Sequence, residues 1–104
     1  MTLTKDFRDT VRERAQRDPE FRRALLEEAV NSMIAGDVEP GRSLMRNYIN
    51  ATVGFPKLSK KVRIPKTSLM RMLGPSGNPS ADNLLSIIAE LQKQEGVSLA
   101  VHAA

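Results

Sequence analysis

At 104 residues with 40% hydrophobic side chains, the chain has the material for one compact domain that buries roughly two-thirds of its unfolded surface, and not for two. It contains no cysteine, which excludes a disulfide framework, a thiolate metal site and a thiol nucleophile. The net charge of +4 matters less than its placement: residues 1–53 hold nine basic and nine acidic side chains, whereas residues 54–104 hold seven basic and three acidic ones (Asp82, Glu90, Glu95).

Met1 to Arg17 is charged throughout and lacks the apolar core of a secretion signal. No apolar run approaches the roughly eighteen residues of a membrane span, so the expected location is the cytoplasm, with no membrane partner. Thr4 is placed to cap a first helix that runs to about Arg17. On it Phe7, Val11 and Ala15 form a thin apolar line among mixed charges (Arg8, Asp9, Arg12, Glu13), so it packs weakly. Asp18-Pro19-Glu20 marks the next start, with a capping carboxylate, proline at the first helical position, and an acid where the helix dipole favours it. Phe21, Leu25, Ala29 and Met33 then form one stripe and Leu26, Val30 and Ile34 another beside it. This pattern predicts the best-buried helix of the N-terminal half, ending at Gly36-Asp37.

Gly36, Asp37, Pro40 and Gly41 read as a break before a third helix, roughly 42–53, with Leu44, Met45, Tyr48, Ile49 and Val53 on its inner side. From Lys57 to Arg71 six basic side chains (Lys57, Lys60, Lys61, Arg63, Lys66, Arg71) accumulate in fifteen residues without one acid. Leu58, Val62, Ile64, Leu69, Met72 and Leu73 supply the apolar set of two short helices around a tight turn. Charge packed this densely draws a polyanion, and two short helices about a tight turn are the sequence form of a helix-turn-helix reader of duplex DNA. Residues 74–79 hold two glycines and two prolines and form a loop, after which Ser80 and Asp82 start a last helix carrying Leu84, Leu85, Ile87, Ile88 and Leu91. Beyond Gly96, Val97-Ser98-Leu99-Ala100-Val101 alternates in character and predicts a short strand. Its unpaired edge would be satisfied by a second copy across a two-fold axis.

The expected architecture is therefore all-α, with that one short C-terminal strand. An N-terminal helical segment, residues 1–41, packs on a helix-turn-helix DNA-binding domain with its tail, residues 42–104, and the whole forms one folding unit.

From Leu58 to Leu91 the chain resembles the Xre-type, lambda-repressor-like helix-turn-helix family, and more narrowly the probable addiction-module antidote proteins. The residues that carry the resemblance are Leu58, Ile64, Ser68, Leu69, Arg71 and Leu73, followed by Gly77, Asn78, Pro79, Asn83, Leu84, Leu85, Ile87, Ile88 and Leu91. It covers the C-terminal half well and the N-terminal half only in being helical. Three positions depart from the family pattern. Ser59 stands where alanine is usual, Arg63 where the turn often has glycine, and Pro65 where a serine or threonine caps the second helix. Arg63 is the costly departure, because a turn with positive φ suits glycine better than any residue with a β-carbon. The resemblance implies a homodimeric transcription regulator, the antitoxin of a toxin-antitoxin pair, which binds its own operator and, through other surfaces, a RelE-like toxin ribonuclease. A protein-interaction module that kept the fold but lost DNA binding, or a phage-type repressor without a toxin partner, is the alternative. A pure interaction module has no reason to concentrate basic charge on the motif.

In the helix-turn-helix geometry the second helix, about Lys66 to Leu73, enters the major groove with Lys66, Thr67, Met70 and Arg71 outward and Ser68 near the rim. Arg71 and Lys66 are the residue types that read guanine O6 and N7, Thr67 and Ser68 bond bases or phosphates, and Met70 is a methyl-contact or rim residue, with the core as its competing assignment. Lys57, Lys60, Lys61 and Arg63 fall to phosphate contacts, which set register without reading sequence. Nothing points to catalysis, a metal or a cofactor. His102 is the only histidine, Glu27-Glu28 and Asp18/Glu20 sit beside Arg22 and Arg23 as solubilising charges, and 74–79 lacks the lysine and preceding strand of a phosphate-binding loop.

Overall fold

Six helices and no strand make up the described part of the chain, residues 5–104 with side chains from Asp9 onward, in the computed structural model. The first, α1 (Lys5–Arg17), buries Ala15, half-buries Val11 and leaves its charged residues from Asp9 onward in solvent. The Thr4 cap and the Phe7 side chain lie outside the described residues. At the start of α2 (Pro19–Ile34) the Asp18 carboxylate accepts the Phe21 N–H at 3.2 Å, with proline in the first turn. Arg14 joins the two helices at this corner: its guanidinium lies 4.5 Å above the Phe21 ring and its Nε is 3.6 Å from Asp18.

The third helix, α3 (Val38–Ala51), starts four residues earlier than the glycine and proline content predicts. Pro40 sits in its first turn, where a missing N–H costs nothing. Gly41 is buried where α3 crosses α2, and a β-carbon there would lie 2.9 Å from the Ala29 carbonyl and collide with Met33. What reads as a helix breaker is therefore the point of closest approach between two helices. The deepest burial of the N-terminal half also falls on α3, with Met45, Tyr48, Ile49 and Ala51, rather than on α2, where Leu26 and Ala29 alone are buried. The reason is position: α3 lies against α1 and α2 on one side and supplies core to the C-terminal helices on the other.

Two short helices follow, α4 (Phe55–Val62) and α5 (Lys66–Met72), then α6 (Ala81–Glu95). Ser80 caps α6 as its sequence predicts, its hydroxyl accepting the Asn83 N–H at 3.1 Å. One cluster of buried side chains runs through all five helices from α2 to α6, including Leu26, Met45, Tyr48, Ile49, Leu58, Leu69, Ile87 and Leu91. A polar tie crosses it at one end. Glu95, at the end of α6, accepts the Tyr48 hydroxyl at 2.5 Å and the Arg22 Nε at 3.2 Å, and Arg22 Nη1 donates to the Ala15 carbonyl at 2.6 Å. Burial, with the Glu95 carboxylate beside it, pushes the Tyr48 phenol well above its ordinary range and keeps it a donor.

The strand predicted over 97–101 is not formed. Val97 and Leu99 do share a face, as the alternation requires, but that face rests on the chain's own core. Two backbone donors of the segment are also used: the Val97 N–H goes to the Gln92 carbonyl and the Leu99 N–H to the Gln92 side-chain oxygen at 2.7 Å. A segment packed against a helix needs the same period of two as a half-buried strand, so alternation alone does not separate the two. No described helix is long and apolar enough to cross a membrane.

Candidate nucleic-acid interface

Three residues, Arg63, Ile64 and Pro65, connect α4 to α5, and the geometry of that connection fixes where the basic side chains point. Arg63 ends α4 in the left-handed region (φ 58°, ψ 41°), the one non-glycine residue with positive φ among the described residues. The Ile64 N–H then turns back to the Ser59 carbonyl at 3.3 Å, the six-to-one bond of a Schellman end. Ser59 adds a second closure, its hydroxyl donating to the Ile64 carbonyl at 2.6 Å, a bond that the alanine usual at this position in the resembled family could not make. Pro65 supplies no side-chain cap to α5, but its carbonyl takes the Leu69 N–H at 3.0 Å. Leu58 from α4 and Leu69 and Leu73 from α5 and its end are fully buried, so the two helices are held together by apolar contact.

That packing leaves the opposite faces free. Lys57, Lys60 and Lys61, at helical spacings of three and four, share the outer side of α4 and are exposed, as is Arg63 in the turn. On α5, Lys66, Thr67, Met70 and Arg71 are exposed and Ser68 is half-buried. Met70 is 49% exposed, which removes it from the core. None of these nine side chains makes a hydrogen bond or ion pair within the described residues; the two ion pairs found there lie at Asp18 and Glu95. The structure thus places all nine predicted site residues on two consecutive helices and the turn between them, with their polar groups uncommitted.

Sequence reasoning missed the residue that holds the end of α5. The Arg46 guanidinium, from α3, donates to the Leu73 carbonyl at the C-terminus of α5, where a cation also meets the negative end of the helix dipole. Arg46 stands in the charge-balanced half of the chain, between the buried Met45 and the inner face of the next turn, and no sequence signal marks its partner 27 positions away. Comparison with models of protein families, with curated proteins and with solved structures finds no match to this chain.

Proposed function

We propose that the chain is a sequence-specific, DNA-binding transcription regulator of the helix-turn-helix kind, with α4 crossing the phosphate backbone and α5 in the major groove. The observation that carries the reading is the set of six cations on α4, the turn and α5, none of them paired with a carboxylate. A solubilising surface intersperses acids among its bases, as the outer side of α1 does; this surface has none. Uncommitted cations on short, well-packed helices suit phosphate neutralisation, because the ordering of the backbone is complete before the DNA arrives.

Within this reading Lys57, Lys60, Lys61 and Arg63 take phosphates, Lys66 and Arg71 take guanine edges, Thr67 and Ser68 take bases or phosphates, and Met70 takes a thymine methyl. One such module buries too little surface to discriminate an operator, so it works as a homodimer on half-sites roughly 34 Å apart. Because no strand forms over 97–101 and the Val97 and Leu99 N–H groups bond to Gln92, the dimer contact is not assigned to that segment. The sequence resemblance to addiction-module antidotes supports a role as an antitoxin whose second partner is a RelE-like toxin.

Fluorescence anisotropy of a labelled duplex, titrated across a series of salt concentrations, tests the reading. About four to six phosphate contacts per protomer give log K against log salt a slope of about −4 or steeper. A slope near zero would overturn it.

A further inference from the structure

A cavity of about 290 Å³ opens where the end of α3, the first turn of α4 and the end of α6 meet over Arg22 of α2. Its walls include Arg22, Tyr48, Thr52, Lys57, Gln94 and Glu95. The one acid among them is already compensated: Glu95, with its side chain 5% exposed, accepts from both Tyr48 and Arg22. Set against Glu95, the Arg22 and Lys57 cations leave one net positive charge on these walls. The free valences are equally uneven. Arg22 spends Nε on Glu95 and Nη1 on the Ala15 carbonyl, which leaves Nη2 without a partner, and the Lys57 ammonium has neither an ion pair nor a hydrogen bond. Thr52 donates its hydroxyl proton to the Tyr48 carbonyl and keeps its lone pairs, while Gln94 donates its amide to Glu90 and keeps its carbonyl oxygen.

We infer that this cavity binds a small 2-hydroxy or 2-amino carboxylate, with the carboxylate between Lys57 and Arg22 and the hydroxyl or ammonium donating to Thr52 or Gln94. The volume lies at the lower end of the range for small-molecule sites, which fits an acid of a few carbons rather than a nucleotide. A backbone phosphate of duplex DNA fits less well. It offers no donor to the two free acceptors, and its flanking sugars would have to enter the recess with it. Lys57 belongs both to this cavity and to the proposed phosphate contacts, so occupancy by the acid withdraws a cation from the DNA. That last consequence rests on the DNA-binding reading; the cavity itself does not.

The test is a ¹H–¹⁵N NMR titration of the full chain with lactate, serine and propionate at constant ionic strength. Lactate and serine are expected to shift the Thr52, Lys57 and Gln94 amides saturably at one-to-one stoichiometry, with propionate weaker because it lacks the donor. Lys57→Ala should weaken lactate binding about tenfold, the effect of losing one charged contact. Lys93→Ala removes the same charge from an exposed site on α6 outside the cavity and should leave lactate binding unchanged. Shifts spread over α4 and α5 that chloride reproduces would overturn the inference, as would equal effects of the two substitutions. A duplex that shifts Thr52 and Gln94 in place of the acids would make the recess part of the DNA surface and also overturn it. If lactate binds at the cavity while the duplex shows no affinity, the DNA reading fails and the cavity assignment stands.

Discussion

A positive φ at a residue with a β-carbon sets the geometry between α4 and α5. Arg63 holds φ 58° at a cost of about 1 kcal/mol, a conformation that glycine adopts freely. Arg63→Gly is therefore expected to raise stability by up to about 1 kcal/mol in urea denaturation while weakening duplex binding through the lost phosphate contact. Equal or lower stability would mean that the arginine side chain packs in a way that offsets the strain. Base reading and phosphate contact separate in a second pair of variants. Arg71→Ala should cost roughly 1 to 3 kcal/mol at a cognate site and relax specificity, whereas Lys60→Ala should weaken cognate and random duplex alike. Matching losses on both duplexes for both variants would take base reading away from Arg71. The strain at position 63 was legible only through the resemblance, which implies a glycine where Arg63 stands. The Arg22–Glu95–Tyr48 tie was not, because its members stand 73 and 47 positions apart and each alone looks like an ordinary surface or core residue.

Helix boundaries followed local chemistry wherever a cap decided them and departed from it wherever packing did. Asp18 and Ser80 cap α2 and α6 as their positions predict. Pro40 and Gly41 do not break α3, because the crossing with α2 requires a residue without a side chain and stabilises it inside the helix. Gly41→Ala should accordingly destabilise the fold by about 1 to 3 kcal/mol, although alanine is the better helix former. A neutral or stabilising result would show that α2 and α3 can separate without loss. The C-terminal segment is the other case in which packing governs. Deleting residues 97–104 uncovers the core behind Val97 and Leu99, with an expected loss of about 1 to 3 kcal/mol in thermal or urea unfolding. An unchanged midpoint would mean that the tail rests on the core without contributing to it.

On the scale of the whole molecule, the partition of charge was the part of the candidate site most legible from sequence, since it required counting and no coordinates. A neutral half and a half with all the excess positive charge correspond here to helices α1–α3 and to α4, α5 and their surroundings. The cavity shared by α2, α3, α4 and α6 was invisible, because its walls come from four separate elements and its character depends on which donors are already bonded.

The tie at Glu95 also bears on how long the folded state lasts. Its contacts with Arg22 and Tyr48 span 73 and 47 positions, the longest of the side-chain hydrogen bonds among the described residues, and contacts of large sequence separation form after the local ones because loop entropy opposes them. Glu95→Gln should therefore leave the refolding rate nearly unchanged and speed unfolding, raising the unfolding limb of a chevron without changing its slope. A slowed folding limb would place the closure inside the nucleus. The last residue of α6 then acts as a latch, fastened once the bundle has assembled and setting the lifetime of the fold rather than the speed of reaching it.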